Sequence, residues 1–135
     1  MPALQAGIRV LVVDDNRDAA EMLAMLLAMS GHTTQTAHDG PEALAMPDAW
    51  QPQVILLDIW LPLMSGLDVA RRLRLHAAGQ HMVLVALTGG GQPSDRLATE
   101  AAGFDLHLVK PCNPGQLLQL LPGLLARRAA APGAG

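Results

Sequence analysis

Short apolar runs alternate along this chain with longer segments of helical spacing. Ile8–Val13, Val54–Leu57, Met82–Leu87 and Leu106–Val109 are almost free of polar residues. Such runs, rich in Val, Ile and Leu, predict strands buried on both faces, as in a parallel sheet. Thr33–Ala37 is polar but threonine-rich, which suits a strand at a sheet edge. Asn16 is placed to cap a first helix whose apolar residues are Met22, Leu23, Leu26, Leu27 and Met29, ending at Ser30-Gly31. Asp39-Gly40-Pro41 opens a short second helix that Pro47 is expected to limit. Ser65, with Asp68 three residues on, has the form of a capping box for a third helix running toward Gly79. Pro93-Ser94 starts a fourth helix of small residues, among them Ala98, Ala101 and Ala102. Asn113-Pro114 starts the last, with Leu117, Leu118, Leu121, Leu124 and Leu125 as its apolar stripe. Pro122 falls inside that stripe and predicts a kink or a split.

Five β-then-α units without an internal repeat imply an α/β fold: a parallel sheet covered by helices on both faces and joined by right-handed crossovers. A threonine-rich second strand at the edge favours the flavodoxin-like three-layer α/β/α sandwich, a five-stranded sheet of order 2-1-3-4-5. Residues 1–7 read as an N-terminal extension, 8–126 as the domain, and 127–135, rich in Ala, Pro and Gly, as a flexible tail.

Composition narrows the function. Half of the residues are apolar and 16% are charged, as in a globular protein. A net charge of −3 argues against direct nucleic-acid binding, because no basic stripe is present to neutralise phosphates. Arg71, Arg72 and Arg74 cluster, but within an amphipathic segment, where they read as a solvated helix face. The single cysteine, Cys112, excludes an internal disulfide and a cysteine-based zinc site, and points to a reducing, cytoplasmic compartment. No apolar stretch reaches about 18 residues, so no membrane span is expected. No basic region precedes the first apolar run, so neither is a secretory signal.

In sheets of this kind ligands bind at the carboxyl ends of the strands. Asp14 and Asp15 end the first buried run, Asp58 the third, Thr88 the fourth and Lys110 the last. All five therefore converge on one sheet edge. Alone, Asp14 and Asp15 would read as acids favoured near a helix N-terminus. Three carboxylates together repel one another unless a cation binds or a proton is taken up. With oxygen ligands only, a hard ion such as Mg²⁺ is the natural choice. A cation, a lysine and a hydroxyl around one carboxylate suit a phosphoryl group carried on that carboxylate.

Val12-Val13-Asp14-Asp15-Asn16, Leu56-Leu57-Asp58-Ile59-Trp60-Leu61-Pro62, Ser65-Gly66, Ala86-Leu87-Thr88 and Lys110-Pro111 together resemble the receiver domains of bacterial two-component response regulators. The resemblance spans Ile8 to Leu125. It implies that Asp58 takes a phosphoryl group from phosphohistidine on a sensor histidine kinase or histidine phosphotransfer protein. It implies Mg²⁺ held by Asp15, Asp58 and the backbone carbonyl of Trp60, with Asp14 acting through water. Lys110 would pair with one phosphoryl oxygen, and Thr88 would move inward to bond another. The Lys110-Pro111 peptide would be cis, and hydrolysis would reset the switch by self-dephosphorylation. Starting at Met1, the chain reads as a stand-alone regulator, with the receiver of a hybrid histidine kinase as the alternative. Homodimerisation through the fourth helix, fifth strand and fifth helix is left open, and Pro122 weakens it.

Several positions depart from the pattern. His107 stands where the family has a switching tyrosine or phenylalanine; it is either a pH-sensitive switch or a partly exposed edge histidine without a role. Trp60 is bulky and would slow water entry. Gly89-Gly90-Gly91 predicts a mobile loop after Thr88. Cys112 reads as a small apolar residue, the seven methionines as core filler, and His32, His38, His76 and His81 as surface residues. Three alternatives remain: a degenerate receiver that only binds proteins, an FMN carrier of the flavodoxin type, and an aspartyl phosphatase. The FMN carrier is disfavoured because Asp14-Asp15-Asn16 replaces a phosphate loop. The phosphatase is disfavoured because Trp60 stands where its second aspartate belongs.

Overall fold

The computed structural model describes residues 7–89 and 96–130, with only the backbone of residues 47–49 and 130. Its elements are β1 (Arg9–Val13), α1 (Arg17–Met29), β2 (Thr33–Ala37), α2 (Gly40–Trp50), β3 (Val54–Asp58), α3 (Gly66–Leu75), a 3₁₀ turn (Ala77–Gly79), β4 (Val83–Thr88), α4 (Arg96–Ala102), β5 (Leu106–Val109) and α5 (Pro114–Ala130). The strands form one parallel sheet in the order β2-β1-β3-β4-β5. This is the flavodoxin-like α/β/α sandwich expected.

Alternation along the strands divides the core in two, because successive side chains point to opposite faces. Leu11, Val13, Ile55, Leu57, Leu84 and Ala86 meet α2, α3 and α4 through Ala43, Val69, Ala70, Leu73 and Ala102. Val10, Val12, Val54, Leu56, Val83, Val85 and Leu87 meet α1 and α5 through Ala20, Ala24, Leu27, Leu117, Leu121 and Leu124. β1, β3 and β4 are buried on both faces. β5 is not: it forms the second edge, where His107 is its one buried residue and Val109 is half exposed.

Both expected caps are present. The Asn16 side chain accepts from Ala19 N–H at 3.1 Å, and Ser65 Oγ from Asp68 N–H at 3.2 Å. Several expectations need correction. Pro47 does not end α2, which continues until Trp50 packs against the core; Gln51 then turns the chain with φ 55°. Pro122 does not split α5. It is exposed between the buried Leu121 and Leu124, off the apolar stripe that packs α5 on the sheet. α5 runs to Ala130, so residues 127–130 are helical rather than tail. α3 stops at Leu75, before the 3₁₀ turn that ends at Gly79.

The largest misreading concerns α1. Ala20, Ala24 and Leu27 are its buried residues, while Met22, Met25 and Met29 stand in solvent, Met29 at 77% exposure. The small alanines let the helix lie close to the sheet, and this turns the methionines outward. Among the described methionines, only Met82 is fully core filler. Gly90, Gly91 and the expected helix start Pro93-Ser94 lie outside the described residues.

Candidate functional site at the carboxyl edge of the sheet

The register of β1, β3 and β4 brings Asp14, Asp58 and Thr88 to one edge, and Lys110 follows directly after β5. Asp14, Asp15 and Asp58 each place a carboxylate oxygen within 4.8 Å of the others. Asp14 and Asp58 are buried and Asp15 is exposed. Lys110 Nζ lies between the two buried acids, 2.8 Å from Asp14 Oδ2 and 2.9 Å from Asp58 Oδ2. The Lys110-Pro111 peptide is cis.

Each buried acid also caps its own following turn. Asn16 N–H donates to Asp14 Oδ1, and Trp60 N–H to Asp58 Oδ1, both at 2.9 Å. The loop after Asp58 is drawn back on the strand by Gly66, whose N–H donates to Ile59 O at 2.8 Å. A Cβ on Gly66 would overlap the Asp58 carbonyl and come within 2.7 Å of Ile59 Cα, so only glycine permits this approach. Trp60 is 48% exposed at the rim.

Burial pushes the Asp58 carboxyl above its usual range, against the lowering effect of Lys110 and the Trp60 N–H. Burial also works against the Lys110 ammonium, but its bonds to Asp14 and Asp58 together outweigh this and raise it. Three carboxylates facing one ammonium thus leave net negative charge at a partly buried edge. An all-oxygen donor set of this charge suits a hard divalent cation, so the residues present fit Mg²⁺.

Thr88, 1% exposed, lies with Oγ1 3.3 Å from His107 Nε2. His107 is not a partly exposed edge residue: it is 8% exposed and is held on its other side by Thr99 Oγ1, 3.3 Å from Nδ1. Burial, and then the charge of Arg96, hold its pKa below the usual histidine range.

Sequence reasoning did not find Thr99. Its signal was a lone hydroxyl among the small residues of α4. Nor did it find His38, whose Nδ1 donates to Asp14 O at 3.0 Å. His32 and His81 also have backbone partners: His32 Nδ1 accepts from Ile8 N–H, and His81 Nδ1 donates to Arg128 O. Cys112 packs against the α1/α5 face, and burial pushes its thiol up, away from thiolate reactivity. Arg74 is not on a solvated face. It donates to the carbonyls of Gly79, Met82 and Gly103 and to Asp105, and burial lowers its pKa to about 10.

Residues 10–122 match the response regulator receiver domain, and the chain belongs to that family. The response regulator MprA of Mycobacterium ulcerans is 39% identical over 121 residues, covering 90% of this chain and 51% of that protein. The Mycobacterium tuberculosis MprA is 38% identical over the same length. The chain therefore spans about half the length of these relatives. Among solved structures, the chemotaxis response regulator CheY4 of Vibrio cholerae superposes with a TM-score of 0.79 at 32% identity, covering 89% of this chain and 100% of that one. The receiver domain of the Pseudomonas aeruginosa sensor histidine kinase PA1611, which has a magnesium ion in its active site cleft, superposes with a TM-score of 0.79 at 26% identity. It covers 90% of this chain and 99% of that one. Among the described residues, no helix is long and apolar enough to cross a membrane.

Proposed function

We propose that this receiver domain is a phosphorylation switch that accepts a phosphoryl group on Asp58. The observation that carries the reading is the Asp58 carboxylate itself: buried, paired with Lys110, and within 4.8 Å of two further carboxylates. An Asp58 oxygen attacks the phosphorus of a phosphohistidine, the N–P bond breaks, and an acyl phosphate forms on Asp58. Asp14, Asp15, Asp58 and the Trp60 carbonyl would hold Mg²⁺, Asp14 through a water. Held there, Mg²⁺ would supply positive charge against the phosphoryl oxygens. Lys110 pairs with one phosphoryl oxygen and the Thr88 hydroxyl donates to another. Water later cleaves the acyl phosphate, releasing inorganic phosphate and restoring the carboxylate; Trp60 at the rim slows its entry.

The donor is a sensor histidine kinase or a histidine phosphotransfer protein. The magnesium-bound receiver of the kinase PA1611 supports both the ion and the donor class. Such donors act in the cytoplasm, where we place the domain. Whatever reads the switch is a protein partner.

Addition of Mg²⁺ and a small phosphodonor is expected to give a phosphoryl mass adduct and a change in tryptophan emission from Trp60. The adduct disappears in Asp58→Asn. An adduct that persists in that variant overturns the choice of acceptor.

A further inference from the structure

His107 lies between two buried hydroxyls, and the bonding of the outer one assigns the protons of the whole row. Thr99 Oγ1 donates its only proton to Arg96 O at 2.9 Å. Toward His107 it is therefore an acceptor, and His107 Nδ1 carries a hydrogen. A neutral imidazole with hydrogen on Nδ1 has a bare lone pair on Nε2. Thr88 Oγ1, 3.3 Å away, must then donate to it. In this state the one proton that Thr88 could offer to a group on Asp58 is already used.

We propose that Thr99 is a positioning residue for the phosphoacceptor site. By fixing the Nδ1–H tautomer of His107 it draws the Thr88 hydroxyl away from Asp58, and release of that hydroxyl to a phosphoryl oxygen is coupled to protonation of His107 at Nε2. The inference rests on Asp58 as the acceptor.

The exchange balances. Thr88 keeps its covalent O–H and only changes acceptor. Nε2, buried and without a donor, binds a proton from solvent and donates it to a Thr88 lone pair, while Nδ1–H stays on Thr99. A buried nitrogen left without a partner is costly, which drives the uptake. A cavity of about 130 Å³ beside His107, lined by Arg96, Thr99, Glu100, Phe104 and Asp105, gives the proton a route.

Burial is the first obstacle to protonating His107, and the charged groups around it act on top of that. Arg96, on α4, opposes protonation. Glu100, also on α4, lines the same cavity and favours it. Asp105, before β5, is engaged by Arg74 and Arg128. Lys110, beyond β5, is engaged by Asp14 and Asp58. A phosphoryl group brings new negative charge to the Thr88 side alone.

The test is imidazole nitrogen NMR on the whole chain. In the free protein at neutral pH His107 is expected as the Nδ1–H tautomer; the Nε2–H tautomer there overturns the proposal directly. With Mg²⁺ and beryllofluoride, the His107 pKa is expected to rise by about one unit, a tenfold gain in proton affinity. Thr99→Val removes the acceptor of Nδ1–H and favours the Nε2–H form, which frees the Thr88 hydroxyl. That variant should take phosphoryl from a small donor several-fold faster and with a weaker dependence on pH, and Thr99→Ser should restore both. If beryllofluoride binds, and does so only with Asp58 intact, yet His107 does not titrate higher, the coupling is wrong and the acceptor reading stands. If nothing binds at Asp58, the acceptor reading fails and takes the coupling with it.

Discussion

The two ends of the sheet hold charge in opposite ways. At the carboxyl end, three carboxylates cluster beside one ammonium, which reaches only two of them: Lys110 pairs with Asp14 and Asp58, and Asp15 faces solvent. At the amino end, one carboxylate is held by two guanidiniums. Asp105, just before β5, accepts from Arg74 at 2.9 Å and from Arg128 at 2.8 Å, and from the Leu84 N–H of β4. The other Arg74 guanidinium hydrogens go to the carbonyls of Gly79, Met82 and Gly103, the last presented by a glycine with φ 107°. The amino end places its one carboxylate against protein cations and ties α3, α5 and the starts of β4 and β5 together. The carboxyl end is left short of positive charge, in need of an ion. One end holds the fold, and the other gathers an excess of negative charge that chemistry can use.

Predictions follow that contrast in order of size. Asp105→Ala leaves two partly buried arginines facing each other and is expected to lose about 3–5 kcal/mol in urea unfolding. The phosphoryl adduct should still form in whatever fraction stays folded. Mg²⁺ at about a hundredfold its dissociation constant is expected to add about 2.7 kcal/mol to the wild type and far less to Asp58→Asn.

Asp58→Asn is expected to be more stable than wild type by about 1 kcal/mol without Mg²⁺ at neutral pH, read as a higher melting temperature. The sign follows from a carboxyl whose folded pKa is raised above 3.8: it favours the fold below that pH and counts against it once ionised. A loss of stability in Asp58→Asn would place the structural role at the wrong end of the sheet.

His107 is held neutral, with a folded pKa below 6.5, so the unfolded chain binds the extra proton. Wild type should therefore lose stability as pH falls from about 6.5 toward that lower pKa, more steeply than His107→Phe. The smallest effect expected is Arg71→Ala. This breaks only the exposed pair with Asp68 and should cost under about 0.5 kcal/mol.

The carboxyl end was legible in the sequence because a buried run that stops at a polar residue marks a strand end, and four such stops, carrying five polar residues, share one edge. The amino end was not. Arg74 sits beside Arg71 and Arg72 in a run that reads as surface, and its partners come from 79 to 105, a distance no local pattern carries. The face of α1 was misread because hydrophobicity alone ranks methionine above alanine, whereas close packing on the sheet favours the smaller side chain. Pro47 and Pro122 misled for a related reason: helices are held by their packed faces, and burial on the far side of a proline outweighs one lost hydrogen bond.

β3, which carries Asp58, is clamped by a neighbouring strand on each side, whereas β5, which carries His107, has a partner on one side only. In mechanical language, the proposed acceptor is mounted on the central strand of the sheet and His107 on a cantilever. A small push at Thr88 is therefore absorbed where the sheet yields most easily, at the edge strand and the α4 face beside it. A switch built this way would report a change in charge there without loosening its own frame.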